Sequence, residues 1–576
     1  MILTVWDKGQ KRQIAASEGQ TVLQALQNAG IYVEASCGGG GTCGKCLVQI
    51  NKVPRLACSA SAADGMEIIT EHSQHGEDFS IVNISADRGA VTDGATYGLA
   101  VDIGTTTIAF TLVNLDNGKP VLSHGVINSQ RALGADVISR IKAADEGKLD
   151  ILNRYVLDDI CRGISYICKE ILALTKFNLA DINLRDFKLN QHISKMVIAG
   201  NTTMLHILMG ESCNSLGQYP FTPVFIDLQR HSFEKIFSAA AKSYVSDWLP
   251  SCEVLLPPGI STYVGADVAA GILYGYYLEK ESFRDGLKNG FEEGLKNSCG
   301  MGSKDELEKS LNLLVDLGTN GELALFSKDA VTATATAAGP AFEAGNISCG
   351  TGSVPGAIAK AVYRPETESF EWETIGGIRG SVCDDMGDDG HDYTWNGTGS
   401  SVELSVSGAP IGICGSGVLD IAAQLVLHGF IDESGYLEED AVIAPGITFT
   451  QKDVRELQLA KSAVRAGIEV LLSDFGASYD DIDKVYLAGG FGHTLNLESA
   501  VILGILPEAW RHKVKAIGNS SLAGCVRVLT DAAALDSIVD FTSKAKEINL
   551  SAHPRFNDLF MEHMMFENTG VGEYKV

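Results

Sequence analysis

The sequence predicts a small α+β domain followed by a two-lobed α/β domain. Three observations carry this reading. Four of the thirteen cysteines crowd into residues 37–58, beside short alternating strands. The pattern apolar run, Asp, apolar residue, Gly-Thr, apolar run occurs twice, at Asp102 and 214 residues later at Asp316. A third apolar strand near the C-terminus ends in the double glycine Gly489-Gly490. A repeat this far apart predicts two halves of like fold facing each other across a cleft. The chain of 576 residues is too long for one domain, and 45% apolar with 20% charged residues is ordinary globular composition.

Charge and hydropathy exclude several classes. With 45 basic and 72 acidic residues, the net charge is −27, which repels phosphate backbones and argues against nucleic acid as a partner. No apolar run approaches the roughly 20 residues of a membrane span. The start Met1-Ile2-Leu3-Thr4-Val5 has no basic region and too short an apolar stretch for a signal peptide. The expectation is a cytoplasmic protein with no membrane partner.

Residues 1–72 read as the small domain. Residues 1–5, 13–15 and 46–50 have strand character. Residues 21–29 read as a helix capped by Thr21, with Val22, Leu23, Ala25 and Leu26 on the apolar face and Gly30 at its end. Between helix and last strand lies a glycine loop whose cysteines, with one beyond it, give C-x5-C-x2-C-x11-C at Cys37, Cys43, Cys46 and Cys58. Four thiolates suit a [2Fe–2S] centre, and loop N–H groups can donate to its sulfurs. A structural zinc site also takes four cysteines, usually on two short C-x2-C arms. Disulfides are disfavoured in a reducing compartment. Gly39-x4-Gly44-Lys45 nearly matches a phosphate loop, but Cys46 stands where Ser or Thr must meet Mg²⁺.

Residues 73–96 read as a linker, including the solvated His75. The first lobe spans 97–278, a hydrophilic, glycine-spaced surface insertion 279–310, and the second lobe 311–576. In each lobe the Asp-x-Gly-Thr segment joins two apolar strands. Its glycine permits a tight turn, successive N–H groups form an anion-binding concavity, and the Asp can hold Mg²⁺ through water. One such turn is an ordinary hairpin; two in strand context point to a grip on the phosphates of a nucleotide. The glycines after Leu487-Ala488 permit close approach of a base or sugar.

These motifs resemble known families. The C-x5-C-x2-C core resembles ferredoxins of the plant and adrenodoxin type, although the fourth cysteine comes sooner here. That implies a β-grasp domain with Cys37, Cys43, Cys46 and Cys58 as ligands. Residues 102–107, 316–321 and 487–490 resemble the two phosphate motifs and the adenosine motif of the actin, sugar kinase and Hsp70 ATPases, an RNase H-like fold. The combination resembles the reductive activators of corrinoid proteins. So do the stretches at 128–140, 200–204, 265–271, 339–343 and 412–417. No further cysteine spacing suggests additional clusters at the C-terminus.

The resemblance implies ATP-dependent return of a corrinoid protein's cobalt(II) to cobalt(I), one electron at a time, for methyl transfer. Its cofactors are a [2Fe–2S] cluster, ATP and Mg²⁺; its partners are the corrinoid protein and a low-potential electron donor. A homodimer is left open. The candidate catalytic residues are Asp102, Asp316 and Asp267, the last either a base activating water or a helix-start residue. The candidate nucleotide-binding residues are Gly104, Thr105, Thr106, Gly318, Thr319, Asn320, Gly339, Gly415, Gly489 and Gly490. Rival readings are an ATP-driven electron donor to another enzyme, a small-molecule kinase with a regulatory ferredoxin domain, and a redox-responsive binding module. Other conspicuous residues read as structural: the acidic run from Asp384 to Asp392, Cys349, Cys383 and Cys414 at turns, and His206 as a core histidine.

Overall fold

The structure is a computed structural model. It describes all residues except 8–9, 18, 30, 32, 34–45, 71–93, 135, 178–191, 242–248, 250, 293–309, 319, 354, 382–409, 490–495 and 567–576. The chain divides into two compact units, Met1–Tyr274 with Ser521–Ser543, and Gly275–Ser520 with Lys544–Val576.

The first unit begins with strands β1 (Ile2–Asp7) and β2 (Gln10–Ala15), helix α1 (Val22–Asn28), and strands β3 (Leu47–Ile50), β4 (Val53–Leu56) and β5 (Glu67–Ile69). They form one mixed sheet in the order β2-β1-β5-β3-β4, with β5 parallel to β1. Alternate residues Leu3, Val5, Val48, Ile50 and Ile68 pack with the apolar side of α1 in one buried core. This is the β-grasp arrangement. Thr21 caps α1 as expected, within a capping box completed by Gln24. The helix ends at Ala29; Gly30 lies outside the described residues.

The same unit continues with a six-stranded sheet. The strands are β6 (Tyr97–Ile103), β7 (Thr107–Asn114), β8 (Pro120–Ile127), β9 (Ile193–Gly200), β10 (Gln229–Ser232) and β11 (Glu253–Leu256), in the order β10-β11-β9-β6-β7-β8. β6 is central, and its near-continuous burial matches its unbroken apolar run. Helices α2 (Val137–Ala143), α3 (Leu149–Phe177) and α4 (Thr202–Met209) follow in the intervening segments, and α5 (Ala266–Glu292) ends this stretch.

In the second unit, β12 (Asn312–Leu317), β13 (Gly321–Phe326) and β14 (Val331–Thr336) repeat the antiparallel meander of β6–β8. A small sheet follows, β15 (Ala357–Arg364), β16 (Ser369–Thr374), β17 (Arg379–Ser381) and β18 (Gly412–Ile413), with helix α6 (Gly415–Leu427) after it. Next come the hairpin β19 (Ala441–Ala444) and β20 (Ile447–Phe449), helix α7 (Gln451–Phe475), then β21 (Lys484–Ala488), β22 (Val514–Gly518) and β23 (Lys546–Glu547). The large sheet runs β22-β21-β12-β13-β14-β23, with β21 parallel to β12 just as β9 is parallel to β6. The internal repeat is thus one of topology as well as motif.

Residues 279–292, at the start of the segment read as an insertion, continue helix α5. Glu279 accepts from Lys484 Nζ at 3.0 Å and from the Tyr486 hydroxyl, so its charge is held by a strand of the second unit's sheet. Residues 293–309, the rest of that segment, and the linker at 73–93 lie outside the described residues. Ser521–Ser543, late in the chain, groups with the first unit.

Candidate functional site

The β3–β4 hairpin sets the cysteines. Its register pairs Leu47 with Leu56, so the residues just outside it, Cys46 and Ala57, come together, and the Ala57 N–H donates to the Cys46 carbonyl at 2.8 Å. Cys46 is closed to solvent and Cys58 is 9% exposed; neither forms a disulfide. The start of α1 pins this loop, with Val22 N–H to Ala60 O at 2.8 Å and Leu23 N–H to Ala57 O at 2.9 Å. Two buried cysteines that flank one hairpin fit half of a four-cysteine cluster site. Cys37 and Cys43 lie outside the described residues.

In the first unit, Asp102 sits one residue before the end of β6, paired with Ala109 across the hairpin. The turn closes through Gly104 N–H to Thr107 O at 3.0 Å. A Cβ at Gly104 would lie 2.8 Å from that carbonyl oxygen, so the position demands glycine. The segment after β8 supports the turn from behind. Asn128 Nδ2 donates to Gly104 O at 2.8 Å, Asn128 N–H to Thr106 O at 3.0 Å, and Arg140 to Thr105 O.

Helix α8 (Ser520–Thr530) adds Ser521, whose hydroxyl donates to Asp102 Oδ1 at 2.7 Å. Asp267 opens α5, and its Oδ1 accepts its neighbour Val268's N–H at 2.9 Å. Desolvation, and then the charge of nearby Asp102, push its carboxyl above the usual carboxylate range. Asp267 and Asp102 therefore form one acidic pair, and the helix-start placement of Asp267 is also real. Close by, burial and then Asp102 raise the Cys525 thiol well above its ordinary value, which keeps it inert.

In the second unit, the equivalent group forms at one end of the large sheet. Asp316 pairs with Glu322 on β13 and with Ala488 on β21. Gly489 follows directly, with φ 137°, and its N–H donates to Gly518 O at 3.2 Å. Ser520 Oγ donates to Asp316 Oδ2 at 3.4 Å. The hairpin turn closes through Gly318 N–H to Asn320 O at 3.1 Å. Gly339, at φ +75°, opens a 3₁₀ turn whose Glu343 reaches to within 3.6 Å of where a Gly318 Cβ would stand. Asp316, Gly318, Asn320, Gly489 and the Gly339 turn are thus brought together. Gly415 instead starts α6, after the small sheet. Thr319 and Gly490 lie outside the described residues.

Sequence reasoning missed Ser520, Ser521 and the roles of Asn128 and Arg140. His206 is a core residue as expected: it is fully buried between Thr202 O at 2.7 Å and the Val224 N–H at 2.9 Å, stacked on Phe225. Cys414 is buried and Cys349 half-buried. Cys383 and the acidic run at 384–392 lie outside the described residues. No helix among the described residues is long and apolar enough to cross a membrane.

A β-grasp domain bearing buried cysteines, followed by two sheets that each hold an aspartate hairpin, defines an iron–sulfur protein joined to a nucleotide-binding ATPase fold. Family models agree in chain order: the 2Fe-2S iron-sulfur cluster binding domain at residues 5–69, the RACo middle region at 97–278, and the C-terminal ASKHA domain of RACo at 310–576. The chain belongs to the RACo family. It is 25% identical to the corrinoid activation enzyme RamQ of Eubacterium limosum, over 96% of this chain and 98% of that one. It is 24% identical to a [Co(II) methylated amine-specific corrinoid protein] reductase of Methanosarcina barkeri, over 82% of this chain and 78% of the relative. A solved structure titled reductive activator for corrinoid, iron-sulfur protein shares the fold, with TM-score 0.62, 24% identity and 98% of both chains covered.

Proposed function

We propose that this chain is an ATP-dependent reductive activator of a corrinoid protein, returning its cobalt from the +2 to the +1 state. The observation that carries the reading is the joining, in one chain, of buried cysteines beside a β-grasp hairpin to two aspartate hairpins of like topology. The substrate is cobalt(II) held in a partner protein. The net reaction adds one electron, taken from a low-potential donor. Cobalt(I) is a strong reductant, so the transfer is uphill and ATP supplies the difference.

Cys37, Cys43, Cys46 and Cys58 are assigned as cluster ligands; a bound [2Fe–2S] cluster supplies one-electron chemistry. Asp102 and Asp316 are assigned to Mg²⁺ and phosphate, each oriented by a serine hydroxyl. Gly104, Thr105 and Thr106, and likewise Gly318, Thr319 and Asn320, are assigned as N–H and hydroxyl donors to phosphate oxygens. Gly339, Gly415, Gly489 and Gly490 are assigned to the nucleoside, where a glycine permits close backbone approach. Asp267, whose carboxyl is pushed up by burial and then by the charge of Asp102, is assigned to orient water or Mg²⁺ beside Asp102. Nucleotide can drive the reaction only by the difference in its affinity for two conformations.

The test is anaerobic formation of cobalt(I) on a corrinoid partner, followed by absorbance with and without MgATP. Formation only with ATP supports the reading. Equal extents without ATP would overturn the coupling.

A further inference from the structure

We propose that Arg140 and Asn128 are positioning residues that aim the peptide N–H groups of the Gly104–Thr106 turn at nucleotide phosphate. This rests on the reading of that turn as a phosphate-binding element. Three successive carbonyls of the turn are held from one stretch of chain. Asn128 Nδ2 holds Gly104 O at 2.8 Å, Arg140 Nη2 holds Thr105 O, and the Asn128 N–H holds Thr106 O at 3.0 Å.

In a planar trans peptide, the C=O and the following N–H point in opposite directions. Fixing Gly104 O therefore directs the Thr105 N–H away from Asn128. Fixing Thr105 O likewise directs the Thr106 N–H away from the guanidinium. The anchors act on the orientation of the donors without themselves touching the ligand.

The anchors are built to be stiff. Arg140 and Asn128 are both fully buried. The guanidinium fork also donates from Nε to Gly134 O at 3.1 Å and from Nη1 to Gln130 Oε1 at 3.1 Å. Gln130 is tied in turn to Leu152 O on α3 at 3.0 Å, and its N–H donates to Asn128 Oδ1 at 3.1 Å. The turn is thus referenced to a long helix through a chain of fixed hydrogen bonds. A planar fork can hold carbonyls in fixed, diverging directions, which an ammonium cannot reproduce.

The decisive variant is Arg140→Lys in the full chain, which keeps the charge and loses the fork. MgATP affinity, titrated on folded protein, is expected to weaken by about 10- to 100-fold, the range for losing one or two buried hydrogen bonds. The KM for ATP should rise with little change in kcat, and the visible spectrum of the iron–sulfur centre should not change. A merely structural role would lower the melting temperature and leave the affinity of the folded protein intact; that result would overturn the inference. Should Arg140→Lys fail to fold, Asn128→Asp decides in its place. It keeps the acceptor for the Gln130 N–H and removes the donor to Gly104 O. Independently of either variant, MgATP should slow hydrogen exchange at the Thr105 and Thr106 amides of the wild-type chain, and no slowing would overturn the proposal. Wild-type protein that binds no MgATP would refute the nucleotide reading itself, a result distinct from unaffected variants of a binding wild type.

Discussion

Replacing Gly524 by Ala tests whether the contact between α5 and α8 holds the acidic pair in place. A Cβ at 524 would lie 2.0 Å from the Ala270 carbonyl oxygen, 2.5 Å from its carbon and 2.8 Å from its Cα. Carbon and carbonyl oxygen ordinarily approach no closer than about 3.3 Å. The helices must therefore separate by roughly 1 Å, because every atom in the way is backbone and cannot rotate aside. Overpacking of this kind costs about 3 kcal/mol, and at roughly 2–4 °C per kcal/mol the melting temperature should fall by about 6–12 °C. The site should suffer as well. Ser521 lies one turn before Gly524 on α8, and Asp267 one turn before Ala270 on α5. A shift of about 1 Å lengthens the 2.7 Å bond from Ser521 to Asp102 beyond hydrogen-bonding range. Loss of one charge-assisted bond at a half-exposed carboxylate, about 1.5 kcal/mol, weakens MgATP binding about 10-fold. Thermal unfolding by circular dichroism and calorimetric titration with MgATP measure the two effects. Gly518→Ala is the control: its φ is +67° but nothing lies within 4 Å, so only the left-handed backbone penalty of about 1 kcal/mol applies. A Gly524→Ala protein that melts within a degree of wild type and binds MgATP equally would refute the reasoning.

Three further outcomes are expected. Gly104→Ala should abolish measurable nucleotide binding, since its Cβ meets Thr107 O at 2.8 Å, whereas Gly318→Ala, at 3.4 Å from its nearest neighbour, should fold and bind within about 0.5 kcal/mol of wild type; equal effects in a paired titration would show that the two turns are alike. Cys46→Ser and Cys58→Ser should each lower the iron content and remove the visible absorption of anaerobically purified protein, and retention of full iron by either would remove that cysteine from the ligand set. Asp420 is buried, accepts from Ser499 Oγ at 2.7 Å, and has its carboxyl pushed up to about 6, by desolvation above all. Its folded form holds the proton more tightly than the unfolded chain, so this residue's contribution to stability falls as pH rises from about 4 to about 6 and then levels off. Urea unfolding at about pH 4.5 and 7.5 should show Asp420→Asn gaining about 2 kcal/mol on wild type across that window, and parallel curves would refute the burial argument.

What the sequence makes legible follows from the range of each interaction. Strand β6 is readable because a central strand buried on both faces must be apolar nearly throughout. The turn after it is readable because only glycine escapes the Thr107 carbonyl. These are local constraints written in consecutive residues. The same logic explains why α1 and its Thr21 cap are visible. The extension of α5 is not, because residues 279–292 carry the polarity of a surface loop. Their helical start is held by the distant partners Lys484 and Tyr486 of β21, through Glu279.

The serines show the limit most clearly. Ser520-Ser521 at a helix start reads locally as capping. Only the fold reveals that Ser521 holds an aspartate 419 positions earlier in the chain, while Ser520 holds one 204 positions earlier. Adjacent residues of one peptide thus serve the two halves of an internal repeat, one in each unit. A substitution at either serine should therefore act on one motif alone if the hairpins work independently. If nucleotide binding engages both, either substitution should weaken binding, and the double variant should cost less than the sum of the two. The double-mutant cycle on MgATP affinity measures that coupling directly, and strict additivity would argue that the two aspartates act apart.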